Sequence, residues 1–255
     1  MKRPTIQTLS FSFALLALPI LAGCGEPAPA PEPAPAPAPA VEAQKPIVSE
    51  ALTAEQQAAL TPDAIIQQFK DGNARFLKND LTMRDHTAKV RSAAGGQFPK
   101  AVVLSCLDSR IPVEDVFDLG LGDVFVGRVA GNIVNEDLLG SMEFGTKVMG
   151  SKVILVLGHK HCGAVVSAID NVKLGNITAM LAKIQPAVKK SQDFAGEKVT
   201  SNVEFVDHVA KNNVRNVQEE IMAKSPIIAE LVKAGTVKIV GAYYDMETGA
   251  VEFLN

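Results

Sequence analysis

The sequence has no tryptophan and only two tyrosines, so aromatic residues make up 5% of its length. Proteins that bind single-stranded nucleic acid stack bases on aromatic side chains, and this chain offers few such surfaces. It also lacks an excess of positive charge, because 25 basic residues are offset by 28 acidic ones and the formal net charge is −3. No basic face that would neutralise phosphates is expected. We therefore exclude nucleic acid as a partner and expect a small substrate.

A long apolar run is missing as well, since the apolar stretch from Phe11 to Ala22 is short and is interrupted by Pro19. A run of about a dozen residues is too short to cross a hydrocarbon core of ~30 Å as a helix. Basic residues precede the run and small residues follow it, which is typical of a secretion signal. We therefore predict a signal peptide at residues 1–23.

The four residues that end at Cys24 read LAGC. They resemble the lipobox of bacterial lipoproteins, in which the cysteine becomes the lipid-modified first residue of the mature protein. The alternative, an ordinary signal peptide, leaves an unpaired Cys24 thiol in an oxidising compartment. The resemblance implies an exported protein, periplasmic or at the cell surface, attached to a bacterial membrane by a lipid on Cys24. Glu26, in place of the aspartate of an inner-membrane retention signal, favours the outer membrane.

Proline is concentrated in residues 27–40, where it alternates almost purely with alanine. This composition favours extended polyproline II and cannot bury a core. At ~3.1 Å per residue, the segment would hold the next part of the chain roughly 40 Å from the lipid. A proline-rich ligand for a recognition module is the alternative. We predict a lipid-anchored linker at residues 24–48 and a folded domain at residues 49–255.

From Ala101 onward, short runs of valine, isoleucine and leucine are separated by helical patterns. Continuous rather than alternating apolar residues predict strands that are buried on both faces, at residues 101–104, 124–126, 153–157 and 237–240. Helices are predicted at residues 135–149, 164–172, 177–191 and 202–222, and a further capped helix at Pro62. The predicted fold class is α/β, with a central, mostly parallel β-sheet flanked by α-helices.

Two of the predicted strands end in residues that can bind a metal. The strand at 101–104 runs into Cys106 and Asp108, and the strand at 153–157 runs into His159 and Cys162. In open α/β sheets ligands bind beyond the carboxyl ends of the strands, so we expect the two groups to converge. If Cys24 carries a lipid, Cys106 and Cys162 are the cysteines that remain. They either bind a metal or form a disulfide, which an oxidising compartment permits.

Two thiolates and an imidazole favour zinc, which prefers sulfur and nitrogen ligands, whereas a disulfide does not account for His159 or Asp108. Three protein ligands leave a fourth position open, as in catalytic zinc sites. We predict one Zn²⁺ per chain, held by Cys106, His159 and Cys162. Asp108 is a potential fourth ligand, and Arg110 is placed to hold its carboxylate by bidentate hydrogen bonds.

The segments around these residues resemble the two zinc motifs of β-class carbonic anhydrases. Residues 106–110 read CLDSR and residues 158–163 read GHKHCG. The intervening GDVFVGRVAGN at residues 122–132 and GNARF at residues 72–76 resemble further parts of that family. The resemblance extends over roughly residues 61–253, and Val129 departs from it because many members have asparagine there. It implies that the folded domain is a β-carbonic anhydrase catalytic domain.

The resemblance also implies a carbonate dehydratase, which reversibly hydrates carbon dioxide to bicarbonate and a proton through a zinc-bound hydroxide. Asp108 and Arg110 are its expected catalytic pair. While Arg110 holds Asp108, the carboxylate accepts the hydrogen bond of the hydroxide; once released, Asp108 could displace the water. A homodimer or a higher homo-oligomer is implied as well.

Two alternatives remain at this stage. Relatives with the same ligands hydrolyse carbonyl sulfide or carbon disulfide, and the sequence discriminates poorly between these substrates and carbon dioxide. A non-catalytic zinc-binding protein is the other alternative. The presence of both Asp108 and Arg110 opposes it, because a structural zinc site needs neither residue.

Overall fold

The structure, a computed structural model, describes residues 46–254, in which five strands form one sheet. The strands are β1 (Ala101–Ser105), β2 (Val124–Arg128), β3 (Val153–His159), β4 (Lys238–Tyr244) and β5 (Val251–Leu254). They lie side by side in the order β2-β1-β3-β4-β5. The first four are parallel, and β5 pairs antiparallel with β4. The predicted α/β fold with a mostly parallel sheet is confirmed.

The central strands β1 and β3 are buried at every position, as their continuous apolar runs predict. Strand β2 is at the edge of the sheet and is only half-buried. Strand β5 was not predicted. Its first three residues are half-buried or exposed and only Leu254 is buried, so this short strand has no clear apolar pattern.

Helices flank the sheet and fill the stretches between its strands. In the described part of the chain they are α1 (Ala54–Ala59), α2 (Pro62–Leu77), α3 (His86–Ala93), α4 (Val113–Val116), α5 (Glu136–Glu143), α6 (Gly163–Ile169), α7 (Gly175–Leu181), α8 (Gln185–Lys190), α9 (Val203–Lys224) and α10 (Pro226–Lys233). The predicted cap of α2 is present, because the Thr61 side chain accepts from Ala64 N at 3.2 Å.

Two predicted helices differ from the structure. The helix predicted at residues 177–191 is divided into α7 and α8, and Pro186 lies in the first turn of α8, where a missing N–H does no harm. The helix predicted at residues 135–149 is α5 followed by a π-helical turn, Phe144–Val148. In both places the chain keeps a helical path but changes its hydrogen-bonding pattern.

The register of the central strands determines where the predicted metal ligands lie. Ser105 at the end of β1 is paired with Leu157 in β3. Cys106 therefore leaves the sheet beside the end of β3, where His159 is the last strand residue. Cys162 follows three residues later and directly precedes α6.

The predicted signal peptide, Cys24 and almost all of the predicted linker lie outside the described residues. Within residues 46–254, no helix combines the length and the apolar character needed to span a membrane. Val48 already contacts the folded part of the chain, because its N–H donates to Met83 O at 2.9 Å and its carbonyl accepts from Asp85 N at 3.0 Å.

Candidate metal centre

Three of the predicted ligands come together at the carboxyl edge of the sheet. The ligand atoms of Cys106, His159 and Cys162 all lie within 4.8 Å of one another. The three residues are almost fully buried, with exposed fractions of 4%, 0% and 1%. Buried polar groups are nearly always satisfied by a partner, so a cluster of this kind calls for a ligand.

The His159 ring shows which of its nitrogens faces that ligand. Its Nδ1 lies 2.9 Å from the carbonyl oxygen of Lys160, so Nδ1 carries the proton and donates it. Its Nε2 is buried and has no hydrogen-bond partner in the described residues. A histidine that donates from one nitrogen to a carbonyl and presents the other is the usual arrangement of a metal ligand.

The two thiols are free and buried, so the structure contains no disulfide between Cys106 and Cys162. The hydrogen bond from the Cys162 thiol lowers the pKa of Cys106 to about 4, although burial acts in the opposite direction. That same hydrogen bond, together with burial, raises the pKa of Cys162. The two thiols therefore resist ionising together unless a cation lies between them. Two sulfurs and one imidazole nitrogen fit Zn²⁺.

Backbone N–H groups further stabilise charge on the sulfurs. Gly131 N donates to Cys106 Sγ at 3.2 Å. Amides in the first turn of α6, at Ala164 and Val165, act to lower the pKa of Cys162. Thiolates are the forms that bind metals, and such donors favour them.

Asp108 is held by Arg110 rather than being one of the convergent ligand atoms. Arg110 Nε donates to Oδ1 at 2.9 Å, and Nη2 donates to Oδ2 at 2.7 Å. The Arg110 backbone N–H donates to Oδ1 as well, at 3.0 Å. These hydrogen bonds lower the pKa of Asp108 to about 2, against the opposing effect of burial. The group of convergent ligand atoms does not include Asp108.

Of the two neighbouring histidines, only His159 points into the cluster. The side chain of His161 is 42% exposed, and its Nε2 lies 3.2 Å from Glu247 Oε1. Its backbone carbonyl accepts a hydrogen bond from Arg110 Nη2, at 3.4 Å. His161 therefore borders the site from the solvent side.

Two residues that support the ligands were not identified from the sequence. Arg128, at the end of β2, donates from Nε to the Cys106 carbonyl at 3.0 Å and from Nη2 to the Asp108 carbonyl. Asn213, on α9, donates from Nδ2 to the carbonyl of Gly131 at 2.9 Å. Each joins segments that are far apart in the chain, so no local pattern could have indicated the contact.

Comparison with known proteins relates this site to a family. A family model described as Carbonic anhydrase matches residues 101–251. A protein named Carbonic anhydrase 2 from Mycobacterium tuberculosis is 33% identical over 197 residues, which cover 74% of this chain and 90% of that protein. A protein named Carbonic anhydrase from Mycolicibacterium smegmatis is 36% identical over 197 residues, which cover 75% of this chain and 92% of that protein.

Among solved structures, the chain is similar to one from a study of two tetrameric β-carbonic anhydrases of the filamentous ascomycete Sordaria macrospora. The TM-score is 0.57 at 22% identity, and the match covers 76% of this chain and 92% of that chain. At this identity, the likeness concerns the fold.

Proposed function

This chain is a zinc-dependent enzyme of the β-class carbonic anhydrase family, and we propose that Cys106, His159 and Cys162 hold its zinc ion. The reaction is the reversible hydration of carbon dioxide to bicarbonate and a proton. The observation that carries the assignment of ligands is their convergence within 4.8 Å around a buried, unpartnered His159 Nε2. Zinc, when bound, lowers the pKa of water to about 7 and so makes a nucleophile available near neutral pH.

We propose Asp108 as a catalytic residue and Arg110 as the residue that positions it. With its pKa lowered to about 2, Asp108 is ionised at neutral pH and can only accept hydrogen bonds. Oδ1 accepts from Arg110 N and Nε, whereas within residues 46–254 Oδ2 accepts from Nη2 alone. Oδ2 therefore keeps a lone pair, with which it accepts a hydrogen bond from the attacking oxygen and orients it toward carbon dioxide.

The same pair controls whether Asp108 competes for the fourth ligand position. A carboxylate is a ligand that zinc accepts, so Asp108 without its partner is a competitor of the nucleophile. The bidentate hold of Arg110 keeps the carboxylate engaged elsewhere. A purely structural zinc site has no need of this arrangement, which speaks against a non-catalytic protein.

Export and lipid attachment are also part of the proposal. The basic start, the short apolar run and the LAGC sequence that ends at Cys24 support a lipoprotein signal peptide at residues 1–23. The proline-alanine segment supports a linker at residues 24–48, and the domain at residues 49–255 then stands off the membrane, on the periplasmic side or at the cell surface. Mass spectrometry of the protein from a bacterial host tests this. The Cys24→Ser variant should lack the mass of the lipid, and its signal peptide should not be cleaved off before residue 24.

We further propose that the chain forms a homodimer or a higher homo-oligomer. A groove of about 730 Å³ lies between β2, the edge strand, and α5. Phe144 and Val148, on the neighbouring π-helical turn, are 51% and 65% exposed. Exposed edge strands and apolar side chains are commonly covered by a second chain. Light scattering coupled to size exclusion tests this, and a single-chain mass at micromolar concentration would contradict it.

The experiment that tests the function is stopped-flow hydration of carbon dioxide, with zinc quantified in the same sample. We expect about one zinc per chain and hydratase activity that falls roughly 100-fold in Asp108→Ala, a typical loss for a group that handles a proton. Zinc without hydratase activity would move the reaction to carbonyl sulfide or carbon disulfide, or to a structural metal. Absence of zinc would contradict the metal centre itself.

A further inference from the structure

A second pocket lies at the end of β1 opposite to the metal centre. Lys100 lines this pocket and immediately precedes β1, whereas Cys106 immediately follows the strand. Because a strand rises ~3.3 Å per residue, the two positions are roughly 20 Å apart. The pocket has a volume of about 530 Å³, so it can hold a small ligand.

Positively charged side chains line the inner part of this pocket. Lys89 and Lys100 are only 2% and 7% exposed, and the Arg84 side chain is 12% exposed. Lysines are almost never buried to this extent unless their charge is paired, because removing an ammonium group from water is costly. The two lysines therefore call for a negative partner.

The acidic groups inside the pocket do not meet that need. The carboxylate of Asp118 is fully taken up by Arg75, Arg84 and Thr82. Asp123 accepts from Gly120 N at 2.7 Å through Oδ2, and its Oδ1 is 3.5 Å from Lys89 Nζ. Within the described residues, the ammonium group of Lys89 is thus paired with a carboxylate through one long contact, to Asp123.

Lys100 is left with even less compensation. Within residues 46–254 no side-chain hydrogen bond of Lys100 is found, and the influences on its pKa are burial and neighbouring charges. Burial lowers the pKa of Lys100; Asp123 opposes this effect, and the charges of Lys89, Arg84 and Arg75 lower the pKa further. Three cationic side chains and one carboxylate are therefore the charges that act most strongly on this ammonium group.

Gly120 lies next to the point where the side chains of Lys89 and Arg84 approach each other. A Cβ at this position would overlap Lys89 Nζ and would lie 3.0 Å from Arg84 Nε. A larger residue at this position would push the ends of both side chains away from the point that they share.

We propose that this pocket binds a small inorganic oxyanion with two negative charges, of the phosphate or sulfate class, through the ammonium groups of Lys89 and Lys100. Charge-assisted hydrogen bonds from the two lysines to the oxygens would satisfy both groups at once. The remaining acidic lining residues, Glu50 and Asp71, are exposed at the rim, where they accept from Ser92 and Gln67. Their charge disfavours an extended polyanion and leaves a compact ion as the fitting ligand.

Calorimetric titration of the zinc-loaded protein with phosphate, and separately with sulfate, tests the proposal against sodium chloride at the same ionic strength. We expect binding to the wild type and a dissociation constant at least tenfold higher in Lys100→Met, since a hydrogen bond to a charged group contributes about that factor. Lys89→Met should behave alike. Lys173→Met, at an exposed lysine of the loop before α7, is the control and should bind as the wild type does.

The stability of Lys100→Met without the anion is an independent readout. Removing an unpaired buried charge should leave the anion-free variant at least as resistant to thermal unfolding as the wild type. The proposal is overturned if neither anion binds the wild type. It is also overturned if Lys100→Met binds an anion as tightly as the wild type does, since that anion would then be bound at the zinc. A less stable anion-free Lys100→Met would also overturn it, because the charge would then be paired within the protein.

Discussion

Arg110 holds the carboxylate of Asp108 at two points, with Nε 2.9 Å from Oδ1 and Nη2 2.7 Å from Oδ2. The fork of the guanidinium matches the two carboxylate oxygens, so the pair fixes the orientation of Asp108 as well as its charge. The Arg110 side chain is 55% exposed, which means that geometry rather than burial gives this ion pair its importance.

Replacement of Arg110 by lysine separates charge from geometry. Arg110→Lys keeps a positive charge but loses the planar fork, so Asp108 is no longer oriented at both oxygens. We expect kcat/KM for carbon dioxide hydration to fall by about 10- to 100-fold, with an unchanged zinc content. Stopped-flow kinetics and metal analysis on the same sample provide the measurement.

Arg215→Lys is the matched control, because Arg215 is exposed and, within the described residues, its side chain donates only to Asn212 Oδ1, at 3.3 Å. It should retain the activity of the wild type. If Arg110→Lys were as active as this control, Asp108 would not depend on Arg110 for its position.

Gly131 is the second position at which we predict a large effect. Its φ is +73°, and a Cβ there would lie 2.5 Å from Ile184 Cδ1 and 3.2 Å from Ala164 Cβ. Gly131→Ala should therefore lower the free energy of unfolding by about 1–3 kcal/mol and disturb the N–H that donates to Cys106 Sγ. Chemical denaturation measures the first effect, and the rate of zinc loss to a chelator measures the second.

A double variant and a control make this prediction specific. Ile184→Val removes the atom nearest to the added Cβ, so Gly131→Ala with Ile184→Val should recover part of the stability but not the strain of the positive φ. Gly95→Ala is the control, because a Cβ there meets nothing within 4 Å. Equal stability of Gly131→Ala and Gly95→Ala would show that the loop tolerates a side chain.

Asp118 is predicted to stabilise the fold without contributing to the reaction. Its side chain is fully buried and accepts hydrogen bonds from Thr82, Arg75 and Arg84. Asp118→Asn should lower the free energy of unfolding by roughly 3–5 kcal/mol, since it leaves buried donors with an uncharged partner. We expect kcat per folded, zinc-loaded chain to remain that of the wild type.

The contribution of Asp118 should also depend on pH. Burial acts to raise its pKa, but the hydrogen bonds from Thr82, Arg75 and Arg84 prevail and lower it to about 2. Because the unfolded chain has the ordinary value of about 4, the carboxylate stabilises the fold above pH 4 and loses that effect as pH falls toward 2. The difference in unfolding free energy between wild type and Asp118→Asn should shrink over this interval. A constant difference from pH 5 to pH 2 would rule out the ion pairs as its source.

Removal of zinc should expose the two thiols to oxidation. The sulfurs of Cys106 and Cys162 lie within 4.8 Å of each other, and the Cys162 thiol is hydrogen-bonded to Cys106. After chelation, treatment with oxidised glutathione should form a disulfide between them, seen by mass spectrometry as a loss of two hydrogens. The zinc-loaded protein should resist the same treatment. Equally fast oxidation of both forms would mean that the metal does not occupy the two sulfurs.

The sequence predicted the architecture because the central strands carry uninterrupted apolar runs. In β1 and β3 every residue is buried, so the run itself marks the strand and its length. Strand β5 follows a turn, is four residues long and forms the far edge of the sheet, so its pairing with β4 depends on tertiary contacts. The π-helical turn after α5 differs from a continued α-helix in its hydrogen bonds, which the apolar pattern of a sequence does not reveal.

The candidate ligands could be predicted because Cys106 immediately follows a buried strand, His159 ends another, and Cys162 lies three residues beyond it. Parallel strands have their carboxyl ends at one edge of the sheet, so residues that follow two neighbouring strands lie close together. The supporting residues follow no such rule. Arg128 reaches the backbone of another loop, and Asn213 reaches Gly131 across 82 residues. Their roles depend on three-dimensional distances that no local spacing encodes.

The most direct test of the metal centre is the X-ray absorption spectrum of its zinc. We predict two sulfur ligands at ~2.3 Å and nitrogen or oxygen ligands at ~2.0 Å, with one sulfur lost in Cys162→Ser. This result would assign one sulfur to Cys162 and leave Cys106, the other free cysteine of the described residues, as the source of the second. A first shell with no sulfur, or with four, would contradict the site described here.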